Sequence, residues 1–116
     1  MITPIFRIFD VDKAISFYCE FLGFNQDWVH QFEENMPKYI QVTFNDAIIH
    51  LSEHHGDASP GSAIRFKMAN LKDYNASLLN KDYPYAKPGL QKTPWNTLEM
   101  TLTDPFSNRI IFYENI

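Results

Sequence analysis

Between Leu98 and Leu102 apolar residues alternate with Glu99, Thr101 and Thr103, the period of a strand with one apolar and one polar face. Asp104-Pro105-Phe106-Ser107-Asn108 follows with turn chemistry, because proline presets φ while Asp and Asn side chains bond nearby backbone. Arg109 to Tyr113 then runs back as a β-branched and aromatic strand. The pattern predicts a hairpin whose polar face carries Glu99 and Thr101, with Trp95 at its entrance.

The same logic reads the rest of the chain. Thr3 to Phe9 is a predicted strand, and Asp10 a predicted N-cap, since Val11, Ala14, Ile15, Tyr18 and Leu22 follow at helical spacing and Gly23 stands just past the end. Strands are expected over Phe24 to Phe32, Tyr39 to Phe44 and Ala47 to Glu53, the last two joined at Asn45-Asp46, where both residues tolerate positive φ. His54 to Ser62 has linker composition. Beyond it the pattern restarts: a strand over Ala63 to Met68, Asn70 as N-cap, and a helical stripe of Leu71, Tyr74, Leu78 and Leu79 ending near Asp82. Pro84, Pro88 and Gly89 leave room only for a short sixth strand near Tyr85-Ala86.

The halves correspond residue by residue. Thr3 matches Ala63, Phe6 matches Phe66, Ile8 matches Met68, Asp10 matches Asn70 and Val11 matches Leu71, while Ala47 to Leu51 answers Asn108 to Phe112 after a longer turn. This internal repeat predicts one domain over residues 1–116, with a first module over about 1–54, a linker over about 55–62 and a second module over about 63–116. A half of this size buries too little apolar surface to be stable alone, so the halves should share a sheet with each other or with a second chain.

Composition narrows the class. With 45% apolar and 16% aromatic residues among 116, the chain can fill a core. No apolar run approaches the ~20 residues a membrane span needs, and no signal-like segment opens the sequence, so no membrane partner and a cytoplasmic location are expected. A net charge of −4 opposes contact with phosphate backbones, so nucleic acid is not an expected partner. Cys19 has no partner for a disulfide and sits in the helical apolar pattern, the setting of a buried structural thiol. Glycine-rich phosphate loops, clustered thiols and a nucleophile elbow are all missing, which leaves phosphoryl transfer, structural zinc and serine hydrolysis without residues to carry them.

Pro94-Trp95 before a strand, Asp104-Pro105, Asn108 and the closing strand resemble the C-terminal signature of bleomycin resistance proteins, within the glyoxalase and extradiol dioxygenase superfamily, the vicinal oxygen chelate fold. Phe6 to Tyr18 with Leu22-Gly23-Phe24 resembles that superfamily's opening strand and helix, and the stretch from His50 to Asp57 is the third that resembles it. The resemblance implies an α+β fold of two βαβββ modules whose mixed sheet curls into a cup, with helices on the convex face. It also implies a homodimer that pairs modules from two chains around its grooves.

Superfamily enzymes hold a divalent metal with four ligands, and the matching places here are Thr3, His50, Ala63 and Ile111. Only His50 can ligate, so no catalytic residue, metal or cofactor is expected. His54 and His55 beside Glu53 invite a metal reading, but neighbouring strand residues point to opposite faces and Gly56-Asp57 suggests a solvated loop; His30 reads as surface. The resemblance implies instead a binding protein that withholds a cationic, partly aromatic small molecule, a bleomycin-like antibiotic. Trp95 would line the groove, its alternative being a core plug; Trp28 and Phe32 could stack a flat ligand or pack in the core. Glu99, Glu53 and Asp57 could pair with a cation or stand as ordinary solvated charges, and His50 could be a groove wall. The rival reading is a metal-dependent glyoxalase or dioxygenase of the same superfamily.

Overall fold

The structure, a computed structural model, describes every residue from Met1 to Ile116. The first repeat runs β1 (Ile5–Arg7), α1 (Val11–Ile15, continued by a π-helix over Ser16–Phe21), β2 (Asn25–His30), β3 (Tyr39–Phe44) and β4 (Ala47–Ser52). The second runs β5 (Ala63–Lys67), α2 (Leu71–Asn80), β6 (Gln91–Lys92), β7 (Thr97–Thr103) and β8 (Arg109–Asn115). Each repeat makes its own four-stranded mixed sheet, ordered β1-β4-β3-β2 and β5-β8-β7-β6. In each, the first strand lies parallel to the last and the others pair antiparallel. The identical strand orders are the internal repeat in three dimensions.

The chain divides into two compact units, Met1–Ser62 with Asp104–Asn108, and Ala63–Thr103 with Arg109–Ile116. In the first, Phe6 of β1 and Ile49 and Leu51 of β4 are buried with Ala14, Phe17, Tyr18 and Phe21 of the helix. The aromatic rings meet edge to face, Phe17 on Tyr18 at 5.1 Å and Tyr18 on Phe24 at 6.0 Å. In the second, Leu71 and Leu78 of α2 are buried with Leu98, Met100 and Phe112, and the Tyr74 ring lies 5.3 Å from Phe112. Each fully buried side chain of this size contributes about 1.5–3 kcal/mol, which fixes the helix to one face of each sheet and leaves the alternate residues on the other.

Asp10 caps α1, accepting from Lys13 N at 3.0 Å, and Gly23 takes φ +91° past the helix end, a conformation closed to most side chains. Four local expectations change. Asn70 is left-handed (φ 58°) and makes no side-chain cap; Glu114 of β8 replaces it, accepting from Asn70 N (2.9 Å) and Leu71 N (3.2 Å). Only Asn45, not Asp46, takes positive φ in the β3–β4 turn. The sixth strand forms at Gln91–Lys92 rather than Tyr85-Ala86, because Asn75 of α2 holds Pro88 O at 2.8 Å and the prolines cannot donate to a ladder. Cys19 is half-buried rather than buried, and burial, then the charges of Glu20 and Asp27, raise its thiol pKa, against a nucleophilic role.

The turn between β7 and β8 is built around one carboxylate. Asp104 is 5% exposed; its Oδ1 accepts from Phe106 N and Asn108 N, both at 2.8 Å, and its Oδ2 from Tyr18 OH at 2.6 Å and Asn108 Nδ2 at 3.0 Å. Asn108 Nδ2 also donates to Arg7 O at 2.8 Å. This turn belongs to the first unit although its flanking strands belong to the second.

Candidate functional site: two open sheet faces

Strand alternation puts one residue in two on the face away from the helix. In the first unit, ladder register aligns Trp28, Gln41, His50 and Ile5 in one row across the sheet. The neighbouring row is His30, Tyr39, Ser52 and Arg7. A bulge between Gln26 and Trp28 leaves Asp27 unpaired in the ladder, where it accepts from Gln41 Nε2 and Thr43 Oγ1, both at 3.0 Å.

His50 sits in the middle of a directed chain of hydrogen bonds. Gln41 donates to Asp27, so its Oε1 must accept from His50 Nε2 (2.9 Å); Nδ1 is therefore the acceptor for Tyr39 OH (2.7 Å). Both ring nitrogens are engaged and the imidazole is neutral, in keeping with the burial that lowers its pKa. Burial, then the charge of Asp57, raises the pKa of Tyr39. Trp28, 41% exposed, lies nearly parallel to Tyr39 (13°, 6.1 Å) and edge-on to His50 (5.5 Å). The result is an aromatic surface over a dipolar network whose only charge is a carboxylate at the far end.

The open face of the second unit is ionic. Glu99 accepts from Arg65 Nη2 at 2.8 Å and Nη1 at 3.3 Å, from Thr97 Oγ1 at 2.8 Å and from Trp95 Nε1 at 3.3 Å. The bond from Arg65, then those from Thr97 and Trp95, holds the carboxyl at a pKa of about 2. The Arg65 guanidinium also lies 4.4 Å over the Tyr113 ring. Trp95 is 64% exposed, carried on a loop pinned by Thr93 N to Thr97 O (2.9 Å) and by Ile116 N to Asn96 O (3.0 Å). A core plug is excluded by that exposure.

The residues singled out by sequence thus fall into separate groups. Trp28 and His50 touch; Trp95 and Glu99 touch. Phe32, 73% exposed, packs edge-on against His30 at 4.5 Å, beyond the end of β2. Glu53 accepts from Lys38 N at 3.0 Å and gives its carbonyl to Arg7, while Asp57 accepts from Ser52 Oγ at 2.6 Å; both carboxylates shape the loops around the sheet end. That end is hollow, with an open groove of ≈ 600 Å³ between Arg7, Phe9 and the 55–60 loop. Missed from sequence were Asp27, Tyr39 and Gln41 in one face and Arg65 and Tyr113 in the other. All five lie in strands, but their partnerships depend on ladder register, which no local pattern supplies.

The superfamily's metal places do not fit an ion. Thr3 precedes β1, His50 has no free nitrogen, and Ala63 and Ile111 offer no donor. No three His, Cys, Asp or Glu side chains converge anywhere in the chain.

Paired βαβββ repeats, each with a helix on one face of its sheet and polar side chains on the other, define the glyoxalase/bleomycin resistance class of α+β fold. Solved structures share it over nearly their whole length. A bleomycin resistance determinant encoded on the transposon Tn5 aligns with TM-score 0.74 and 16% identity over 99% of this chain and 97% of that one. A bleomycin-binding protein complexed with bleomycin gives 0.72 and 16% over 100% and 98%, and a glyoxalase-related enzyme from Clostridium phytofermentans 0.75 and 17% over 99% and 94%. No curated protein sequence matches. Residues 1–116 match a family of glyoxalase superfamily proteins, and the chain belongs to that superfamily, as a member resembling the bleomycin resistance proteins.

Proposed function

We propose that the protein is a non-catalytic binder of a flat, partly aromatic small molecule, which it holds against its open sheet faces and withholds from solution. The observation that carries this reading is the exposure of two tryptophans on built supports: Trp95 on its pinned loop with the indole N–H on Glu99, and Trp28 against Tyr39 and His50. Large aromatic faces left in water at such positions are the usual anchors of small-molecule recognition. A cationic, bleomycin-like antibiotic is the candidate ligand, and it would find its carboxylates in the first unit, at Asp27, Glu53 and Asp57, because Glu99 is already committed to Arg65. In this reading the chain acts as one cytoplasmic domain, needs no cofactor, and forms a homodimer in which a second copy completes the groove. The metal-dependent lyase or dioxygenase alternative lacks support at Thr3, Ala63 and Ile111.

The test is a titration of the full-length protein with bleomycin, followed by tryptophan fluorescence and by melting temperature, since a ligand of the native state stabilises it by RT ln(1 + [L]/Kd). Trp28→Ala, on the face whose network ends in Asp27, should weaken binding by about 1–3 kcal/mol, the range for a lost stacking partner. Unchanged affinity in the folded variant removes Trp28 from the site, and one tightly held metal ion per chain with glyoxalase activity would replace this reading by the enzymatic one.

A further inference from the structure

The β5-β8-β7-β6 sheet of the second unit, sheet 2, presents a combination of groups that a cationic ligand does not explain. Register puts Arg65 and Lys67 of β5, Arg109 of β8 and Glu99 of β7 on the same open face: Lys67 opposes Tyr113, which opposes Glu99, while Ala63 opposes Arg109 and Arg65 opposes Ile111. Glu99 is the one carboxylate among these residues, and Arg65 neutralises it. Lys67 and Arg109 are exposed and form no ion pair, so the face keeps two unbalanced positive charges on a chain whose net charge is −4. Neither Lys67 nor Arg109 has a carboxylate partner in the fold.

Arg65 is set up as a receptor rather than used up by its salt bridge. Its two terminal nitrogens each give one N–H to Glu99, leaving three of the five guanidinium donors unused, two of them, Nε–H and the second Nη2 N–H, side by side on the free edge. Stacking on Tyr113 and the bidentate bond fix the plane of the group, while 46% of the side chain remains accessible. Trp95 donates to the same Glu99 oxygen as Arg65 Nη2, which sets an exposed indole beside the fixed guanidinium.

We infer that the open face of sheet 2 binds an aromatic anion, its ring against Trp95 and its carboxylate or similar group on the free edge of Arg65, with Lys67 and Arg109 supplying the surrounding field. This rests on the reading of the open faces as small-molecule sites and adds the charge of the ligand at this one.

Benzoate, benzyl alcohol and benzylammonium share a ring and differ in charge, so titrating each into the ¹⁵N-labelled full-length protein separates the two claims. Benzoate should shift the Trp95 indole N–H and the Arg65 Nε–H, and bind about tenfold or more tightly than benzylammonium, in line with a charged hydrogen bond gained rather than a like charge met. R65Q should lose that preference. The double variant K67Q/R109Q, which leaves the Arg65–Glu99 pair intact and so keeps the fold, should weaken benzoate severalfold and flatten its dependence on salt. Equal binding of the three probes at Trp95, or a preference for benzylammonium there, overturns the inference while the binding reading stands. If none of the three perturbs the Trp95 indole, the inference falls, and the bleomycin titration decides the binding reading separately.

Discussion

The two sheets have the same strand order, yet their open faces use opposite chemistry. At repeat-equivalent places the first carries His50 and the second Ile111, and the first makes its centre from neutral dipoles, Tyr39 to His50 to Gln41, ending in Asp27. The second makes its centre from full charges, Arg65 and Glu99, braced by Thr97, Trp95 and Tyr113. The hairpin turns differ as sharply: Asn45-Asp46 is exposed, whereas the Asp104–Asn108 turn is organised by a buried carboxylate. Duplication of a βαβββ unit therefore conserves what the helix side requires and releases what the open side displays. The apolar positions are constrained by burial on one face, and the alternate positions are free to acquire separate roles.

The largest effect should come from the turns. Asp104→Ala removes the acceptor of four donors, three of them on the turn and one on Tyr18, and leaves the buried ones unpaired. Urea unfolding should show a loss of about 3–5 kcal/mol, against ~0.5 kcal/mol or less for Asp46→Ala at the equivalent exposed turn. Similar losses at both turns would erase the contrast.

Next comes the dipolar face. Because the folded pKa of His50 lies below that of the unfolded chain, the unfolded state takes up its proton first as pH falls. Stability from this group is therefore complete above about pH 6.5 and declines below it, levelling off once the folded imidazole is also protonated. Tyr39→Phe removes a donor that favours the neutral ring, so His50 should titrate at higher pH in NMR, at a stability cost of about 0.5–1.5 kcal/mol. A downward move of that titration would mean that Tyr39 is not the donor.

The ionic face should give the smallest change. Glu99, held at about 2, contributes stability that is present above the ordinary carboxylate pKa and lost as pH falls through the folded one. Since Arg65 is nearly half exposed, water screens the pair, and it should weaken further in salt. Arg65→Gln should raise the Glu99 titration toward that of a free carboxylate, and its failure to do so would shift the credit to Thr97 and Trp95.

How much of this was legible beforehand follows from the same contrast. Alternation in Leu98–Thr103 placed Leu98, Met100 and Leu102 inward and Glu99 and Thr101 outward, and the helical spacing from Val11 found α1, because burial leaves a periodic record in the chain. Asp10 was readable as a cap for being next to its helix, whereas Glu114 lies 43 residues from Leu71, whose N–H it accepts, and left no local trace. The site followed the same rule. Trp95 and Trp28 announced themselves by residue type; that Glu99 would be met by Arg65, 34 residues away, was set by the parallel pairing of β5 with β8.

The Asp104–Asn108 turn has one more bearing, on the order in which the protein is made. Residues 1–62 leave the ribosome with their helix and four strands complete but without the loop that receives Tyr18 OH and closes on Arg7 O. That loop is translated 86 residues after Tyr18, once β5 to β7 have already been translated. A nascent chain halted at the repeat boundary thus holds a buried phenol with no acceptor, and the first half reaches its final state only when the last hairpin arrives. Gene fragments cut between the repeats should express as protease-sensitive halves, and supplying a peptide that spans β7, the turn and β8 is the rescue that this gap in the fold calls for.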